Sequence, residues 1–180
     1  MNIAVYLGST EGEGTAYVNC AEEIGKMIGS GGHTLVYGGS SSGTMGVLAD
    51  AVLSSGGKVI GVIPEFFLYR VQPGMSECIT VKTMSERKKK MIDLADGFVV
   101  LPGGPGTLEE MAEVMSAIRL GLIKKPCVIY NLNGYYDILL DMYRQMLAQG
   151  FLSLKEYSQY EESFAKTAEE VRTALGLEEL

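Results

Sequence analysis

The sequence predicts an α/β protein with a Rossmann-like, doubly wound parallel sheet, on three observations. Short Val/Ile-rich runs alternate with longer helix-like stretches along the chain. Most of these runs lead straight into glycine or proline, as strands buried on both faces of a parallel sheet do. Three glycine-rich turns fall at the carboxyl ends of such runs, the edge at which doubly wound sheets bind ligands.

The elements follow in order. Ile3 to Leu7 is the first expected strand; it ends at Gly8-Ser9-Thr10 and precedes a helix over Thr15 to Ile28. Thr34 to Tyr37 runs into the turn Gly38 to Gly43, with a helix over Met45 to Ser54. Lys58 to Ile63 is the third strand. Glu65 to Thr83 reads as a loop crossing towards a helix over Met84 to Ala95. Phe98 to Leu101 then enters the turn Pro102 to Thr107, with a helix over Leu108 to Gly121. Cys127 to Tyr130 is the last expected strand and Tyr135 to Ala148 the helix after it. The acidic tail beyond Gly150 carries a short helix near Thr167 to Leu175. No linker, repeat or low-complexity segment interrupts the pattern, so the 180 residues are expected to form a single domain.

Composition narrows the function classes. The chain is 47% hydrophobic and carries a net charge of −7. With no basic excess to displace counterions, nucleic acid and anionic membranes are not expected partners. Any phosphate site must be local, built from backbone amides and a few cations. Cys20, Cys78 and Cys127 are odd in number and lack CxxC spacing, which favours buried thiols in a reducing compartment over disulfides or zinc. The single histidine, His33, precedes an apolar run and reads as a strand-entry residue. No metal and no cofactor are expected. No apolar run approaches the roughly 18 residues of a membrane span, and no basic leader precedes Ile3, so a cytoplasmic location is expected.

The sharpest segment is Leu101-Pro-Gly-Gly-Pro-Gly-Thr-Leu-Glu-Glu110. Glycines at Gly103, Gly104 and Gly106 let the backbone approach a ligand. A helix beginning at Thr107 would then aim free amides and its positive end at a phosphate above the strand. It is not a Walker loop, because no Lys-Ser/Thr follows the glycines. Nor is the first turn a dinucleotide fingerprint, since Glu11 and Glu13 follow Gly8 and would repel a pyrophosphate. A purely structural reading stands beside the functional one: Thr107 and Glu110 have the spacing of a capping box. Upstream, Met84-Ser-Glu-Arg-Lys-Lys-Lys90 is a basic cluster in an acidic chain. It is either a solvated helix face or, because it opens the helix before the Pro102 strand, a reach of Arg87 to the same sheet edge. There a guanidinium could fork a phosphate or ribose hydroxyls, or lock a carboxylate. Gly8, Ser9, Gly38, Gly39, Gly43 and Met84 share that edge and are candidate substrate contacts.

At these segments the sequence resembles the LOG (Lonely guy) family, whose members carry PGGxGTxxE and an upstream ERK-type element. The resemblance extends through Tyr37 to Ser40, Gly43 to Gly46, Ala49 to Ala51, Gly56 to Pro64, Leu94 to Asp96 and Asn133 to Tyr136, and leaves the residues after Gly150 without a clear counterpart. Many relatives carry the label lysine decarboxylase. The resemblance implies a Rossmann-like homodimer that hydrolyses cytokinin riboside 5′-monophosphates, and often AMP, to free base and ribose 5-phosphate. It implies Arg87 and Glu110 as the catalytic pair, and Lys88, the run Gly104, Pro105, Gly106, Thr107, Leu108, Glu109, and Ser116 as substrate contacts. The chain departs from family habit at Ser85, where histidine is frequent, at Ser116-Ala117, where Thr-Trp is frequent, and over Phe66 to Ser76, which bears on the purine substituent accepted.

The residues suit that chemistry. Breaking an N-ribosidic bond builds oxocarbenium character that a carboxylate can stabilise, as in glycoside hydrolysis, while a remote phosphate supplies binding energy for positioning. The competing readings are a non-catalytic nucleotide-binding or cofactor-carrier module on the same fold, which needs the glycines but not the carboxylate, and a decarboxylase, which would need a Schiff-base lysine. Met111, Val114, Met115, Ile118, Leu122 and Ile123 form an apolar band wider than a one-sided helix requires, so part of it is expected to meet a second subunit.

Overall fold

The computed structural model describes residues 1–177. Its strands are β1 (Asn2–Tyr6), β2 (Thr34–Tyr37), β3 (Lys58–Pro64), β4 (Glu77–Val81), β5 (Gly97–Val100), β6 (Cys127–Tyr130) and β7 (Phe164–Ala165). They form one sheet in the order β4-β3-β2-β1-β5-β6-β7, with every neighbouring pair parallel. The helices are α1 (Ala16–Ser30), α2 (Gly43–Ser54), α3 (Met84–Leu94), α4 (Pro105–Arg119), α5 (Asp137–Ala148), α6 (Leu154–Glu162) and α7 (Ala168–Ala174). β2, β3 and β4 are laid down on one side of β1; α3 then returns the chain to β5 on the other side. The order reverses between β1 and β5, which opens a crevice at their carboxyl ends.

Strand alternation divides the core between the two faces. Ile3, Val5 and Leu7 join Ile24, Ile28, Leu48 and Val52 of α1 and α2 and Val171 of α7. Ala4, Tyr6, Phe98 and Val100 join Met91 of α3, Met111, Val114 and Met115 of α4, and Tyr143, Tyr157 and Tyr160 of α5 and α6. The doubly wound fold read from the sequence is the fold observed.

Several local expectations are corrected. Glu65 to Thr83 is not a plain loop: it holds a 3-10 turn at Glu65–Arg70 and the edge strand β4. That strand buries only one side, with Ile79 and Val81 half-buried and Glu77, Cys78 and Thr80 exposed, so it presents no apolar run. Cys78 is therefore an exposed thiol, unlike the buried Cys20 and Cys127. The tail contributes α6 and β7 in addition to α7. α6 is opened by a capping box in which Ser153 accepts from the Glu156 amide and Glu156 accepts from Ser153.

The wide apolar band of α4 also has a local cause. Met111, Val114 and Met115 are buried in the chain's own core, with Ile118 and Ile123 packed against it. Arg119 pairs with Glu156 of α6 at 3.1 Å, so α6 lies along a flank that the sequence left open. Leu120 and Leu122 remain exposed.

Candidate active site

Hydrogen bonds between the glycine-rich turns build the crevice. The Gly8 amide donates to the Pro102 carbonyl at 3.3 Å, and the Gly8 carbonyl accepts from the Thr44 hydroxyl at 2.8 Å. Tyr135 and Tyr136 donate their hydroxyls to the carbonyls of Gly103 (2.7 Å) and Leu101 (2.8 Å), fastening the third turn from behind. Gly103 has no room for a side chain, since a Cβ there would overlap the Thr107 hydroxyl.

α4 begins earlier than the sequence suggested. Gly104 is its N-cap and Pro105 its first residue. Proline suits that position because its φ is preset and its missing amide would have had no helical acceptor. The first intrahelical bond runs from the Leu108 amide to the Gly104 carbonyl at 3.2 Å. The amides of Gly104, Gly106 and Thr107 are thus the open donors at the positive end of the helix. The capping-box reading of Thr107 and Glu110 falls with this boundary: Thr107 is the third helical residue, and Glu110 sits one turn in with its side chain towards the crevice.

A cavity of about 260 Å³ lies above the switch point. Of the residues singled out in the sequence, Gly8, Ser9, Gly38, Met84, Arg87, Gly104, Pro105, Gly106, Thr107, Glu109 and Glu110 line it. Gly39 and Gly43 stand behind the wall: Gly39 accepts from the Gln72 amide at 3.0 Å, and Gly43, at φ 55°, lies against the Ser9–Thr10 backbone. Gly103 lines a smaller neighbouring cavity. Leu108 and Ser116 are exposed on α4 and do not line the cavity. Lys88 does not line it either, because its ammonium bridges Glu109 at 2.7 Å and Glu113 at 2.9 Å. These carboxylates raise its pKa, and the pairing ties α3 to α4.

The centre of the cavity is an arginine beside a buried carboxylate. Arg87 lies in the first turn of α3, whose N-cap Thr83 accepts from the Glu86 amide at 3.1 Å. Its Nε donates to the Val62 carbonyl at the end of β3 at 3.2 Å, and Nη2 lies 3.7 Å from Glu110 Oε1. Gly38 makes this possible, as any Cβ there would overlap the guanidinium. Glu110 is only 8% exposed. Burial pushes its carboxyl up to about 7; Arg87 opposes the shift, and Glu109 and Glu113 add to it.

Sequence reasoning missed Met45, Ile63, Phe67 and Arg70, which also line the cavity. Phe67 and Arg70 arrive on the 3-10 turn, which is bound to the β2–α2 turn and to α2: the Arg70 carbonyl accepts from the Ser41 amide at 2.8 Å, and the Gln72 side chain donates to Asp50 of α2 at 2.6 Å. The available signal was the aromatic and basic stretch Glu65-Phe-Phe-Leu-Tyr-Arg70 directly after a strand end.

A family described as possible lysine decarboxylase matches residues 45–175, including most of the tail that carries no motif of its own. A Rhodococcoides fascians protein named cytokinin riboside 5′-monophosphate phosphoribohydrolase is 43% identical over 155 residues, 84% of this chain and 78% of that protein. The rice (Oryza sativa subsp. japonica) protein of that name, LOG, is 42% identical over 153 residues, 84% of this chain and 63% of its own length. Among solved structures, the molybdenum cofactor binding protein of Rippkaea orientalis superposes with a TM-score of 0.72 at 21% identity, over 97% of this chain and 94% of that one. The molybdenum cofactor carrier protein of Chlamydomonas reinhardtii gives 0.67 at 22%, over the same shares. At such identities these two establish the shared fold alone. Sequence match and relatives together show that the chain belongs to the family described as possible lysine decarboxylase, among whose members are the LOG cytokinin riboside 5′-monophosphate phosphoribohydrolases.

Proposed function

We propose that the protein hydrolyses the N-glycosidic bond of a purine nucleoside 5′-monophosphate, AMP or a cytokinin riboside monophosphate, to free base and ribose 5-phosphate. The observation that carries this reading is Glu110, a buried carboxylate one helical turn from an open helix N-terminus and beside Arg87. Burying a carboxylate costs folding free energy, and a module that only bound nucleotides would gain nothing from it.

The phosphate would lie on the amides of Gly104, Gly106 and Thr107. From there to Glu110 is about one turn, roughly 5–6 Å along the axis, a span that a ribose bridges. As the bond from C1′ to the base nitrogen breaks, its electron pair leaves with the base. Cationic character grows on the sugar next to Glu110, and Arg87 orients the carboxylate and the ribose. Water adds to C1′ and gives its proton to Glu110, whose affinity for protons near neutrality suits that task. The base takes up a proton from solvent. No metal or cofactor takes part in this scheme.

The decarboxylase label fits less well, because among the described residues no lysine lines the cavity. One sheet carries the whole crevice, which supports reading the chain as one Rossmann-like nucleotide-binding domain; residues 178–180 of the expected span 1–180 lie outside the described residues. The unpaired cysteines favour a reducing compartment, the cytoplasm, and no helix among the described residues is long and apolar enough to cross a membrane. Leu108, Leu120 and Leu122, exposed on and just beyond α4, support a homodimer through that helix. Light scattering tests the assembly: a 19.4 kDa particle at micromolar concentration would refute it. For the activity, the protein is incubated separately with AMP, isopentenyladenosine monophosphate and lysine. Adenine or isopentenyladenine is expected. Cadaverine, or no product with any of the three, would overturn the reading.

A further inference from the structure

The walls of the cavity differ in character. The start of α4 offers open amides and Glu110, whereas Met45, Ile63, Phe67 and Met84 make an apolar part of the lining. Both methionines lie close to Arg87, and Arg70 stands on the turn that carries Phe67. With the phosphate on the helix end and the ribose at Glu110, that apolar part of the lining suits the base. Among the described residues, Phe67 is the one aromatic residue lining the cavity. We infer that Phe67 is the platform on which the leaving base stacks, so that it determines how strongly the protein prefers nucleotides with a broad aromatic base. The inference rests on the nucleotide-hydrolase reading and deepens it.

The position of Phe67 is built rather than incidental. It is half-buried while its neighbours Phe66 and Tyr69 are exposed. Their rings buttress it from outside, with centroids 4.7 Å and 6.3 Å from its own. The turn is fixed at its far end by the Ser41–Arg70 and Gln72–Gly39 backbone bonds of 2.8 and 3.0 Å and by an antiparallel bridge between Ser40 and Val71. A ring held in this way loses little freedom when a base stacks on it. Base–aromatic stacking is worth about 1–3 kcal/mol per base, or roughly 5- to 150-fold in affinity.

The test compares ligands with and without a base. AMP and ribose 5-phosphate are titrated by calorimetry into Glu110→Gln, in which cleavage is suppressed, and into the same protein carrying Phe67→Leu or Phe67→Trp. Phe67→Leu should weaken AMP about 5- to 30-fold and leave ribose 5-phosphate within about twofold; Phe67→Trp should restore AMP. Equal losses for both ligands would make Phe67 a scaffold residue, and unchanged AMP affinity would put the base elsewhere; either result overturns the inference. Adenine release by the unmodified protein is assayed alongside. Its absence would refute hydrolysis, while the contrast between AMP and ribose 5-phosphate would still decide the role of Phe67.

Discussion

Arg87 Nη2 stands 3.7 Å from Glu110 Oε1, beyond hydrogen-bonding distance, while the Nε of the same arginine is engaged by the Val62 carbonyl at 3.2 Å. The arginine is thus anchored to the sheet by a hydrogen bond and meets the carboxylate as an ion pair without one. Both groups line the cavity.

The pair should fail together when either member is removed. Glu110→Gln is nearly isosteric and should fold and bind AMP, yet lose at least ~100-fold in turnover, equivalent to about 2.7 kcal/mol of transition-state stabilisation. Arg87→Ala should lose a comparable factor. Glu109→Gln should stay within about fivefold, because that carboxylate is half-exposed and already paired with Lys88. Steady-state adenine release measures all three, and near-normal release by Glu110→Gln would require another carboxylate.

The raised carboxyl makes stability and activity depend on pH in opposite senses. Glu110 titrates near 7 in the fold against an ordinary value of 4.5. Between those values the folded chain holds a proton that the unfolded chain has released. The contribution of Glu110 to stability is therefore full below about 4.5 and is lost as pH rises through 7. Urea unfolding at pH 5 and pH 8 should show wild type losing stability relative to Glu110→Gln at the higher pH; a flat difference would contradict the burial effect. For catalysis, kcat/KM should rise with pH through an apparent pKa near 7, as the ionised form becomes populated. Removing Arg87, which opposes the shift, should move that limb to higher pH.

A methyl group at Gly38 should act through Arg87. Gly38→Ala places its Cβ into the guanidinium, so kcat/KM for AMP should fall at least ~10-fold. Adding Gly38→Ala to Arg87→Ala should cost less than the two separate losses combined, because the new Cβ then meets only the flexible end of Met45. Additive losses in that double-mutant cycle would mean that the glycine acts independently.

Phosphate anchoring should separate AMP from adenosine. Both present the same bond to Glu110, but adenosine leaves the α4 amides without a ligand. A kcat/KM at least ~100-fold lower for adenosine is expected, mostly through lost positioning. Equal rates would remove the helix end from the site.

The central strands and the glycine-rich turns were legible because they follow rules that survive in one dimension. A strand buried on both faces reads as an apolar run, and a turn that approaches a ligand reads as glycine. β4 was hidden because an edge strand that begins with the exposed Glu77 and turns Cys78 and Thr80 outward carries no continuous buried run. The start of α4 was misplaced by three residues because the Thr107–Glu110 spacing imitates a cap, although Pro105 marked the true first turn. Arg87 and Glu110 could be paired from the motif they resemble. The diversion of Lys88 could not be foreseen, since it depends on Glu109 and Glu113 reaching across from another helix. Phe67 depends likewise on bonds to the β2–α2 turn, which sequence adjacency does not reveal.

The two-residue strand β7 has a consequence for shortened forms of the chain. It and the residue before it take up amides of β6 and of the residue just after it, with Ile129 donating to the Ser163 carbonyl at 2.7 Å and Asn131 to Ala165 at 2.8 Å. Every residue lining the cavity lies at or before Glu110, so a chain cut at Gly150 would retain the whole chemical inventory. It would also bare the outer rim of β6, an apolar strand with vacant donors, and uncover Val128 and Tyr130 beneath α7. Rims of that kind recruit further copies edge to edge. Such a truncated protein should therefore be lost to precipitation in the expressing cell rather than to any defect of chemistry, and its inactivity would be misread as proof that the tail is catalytic.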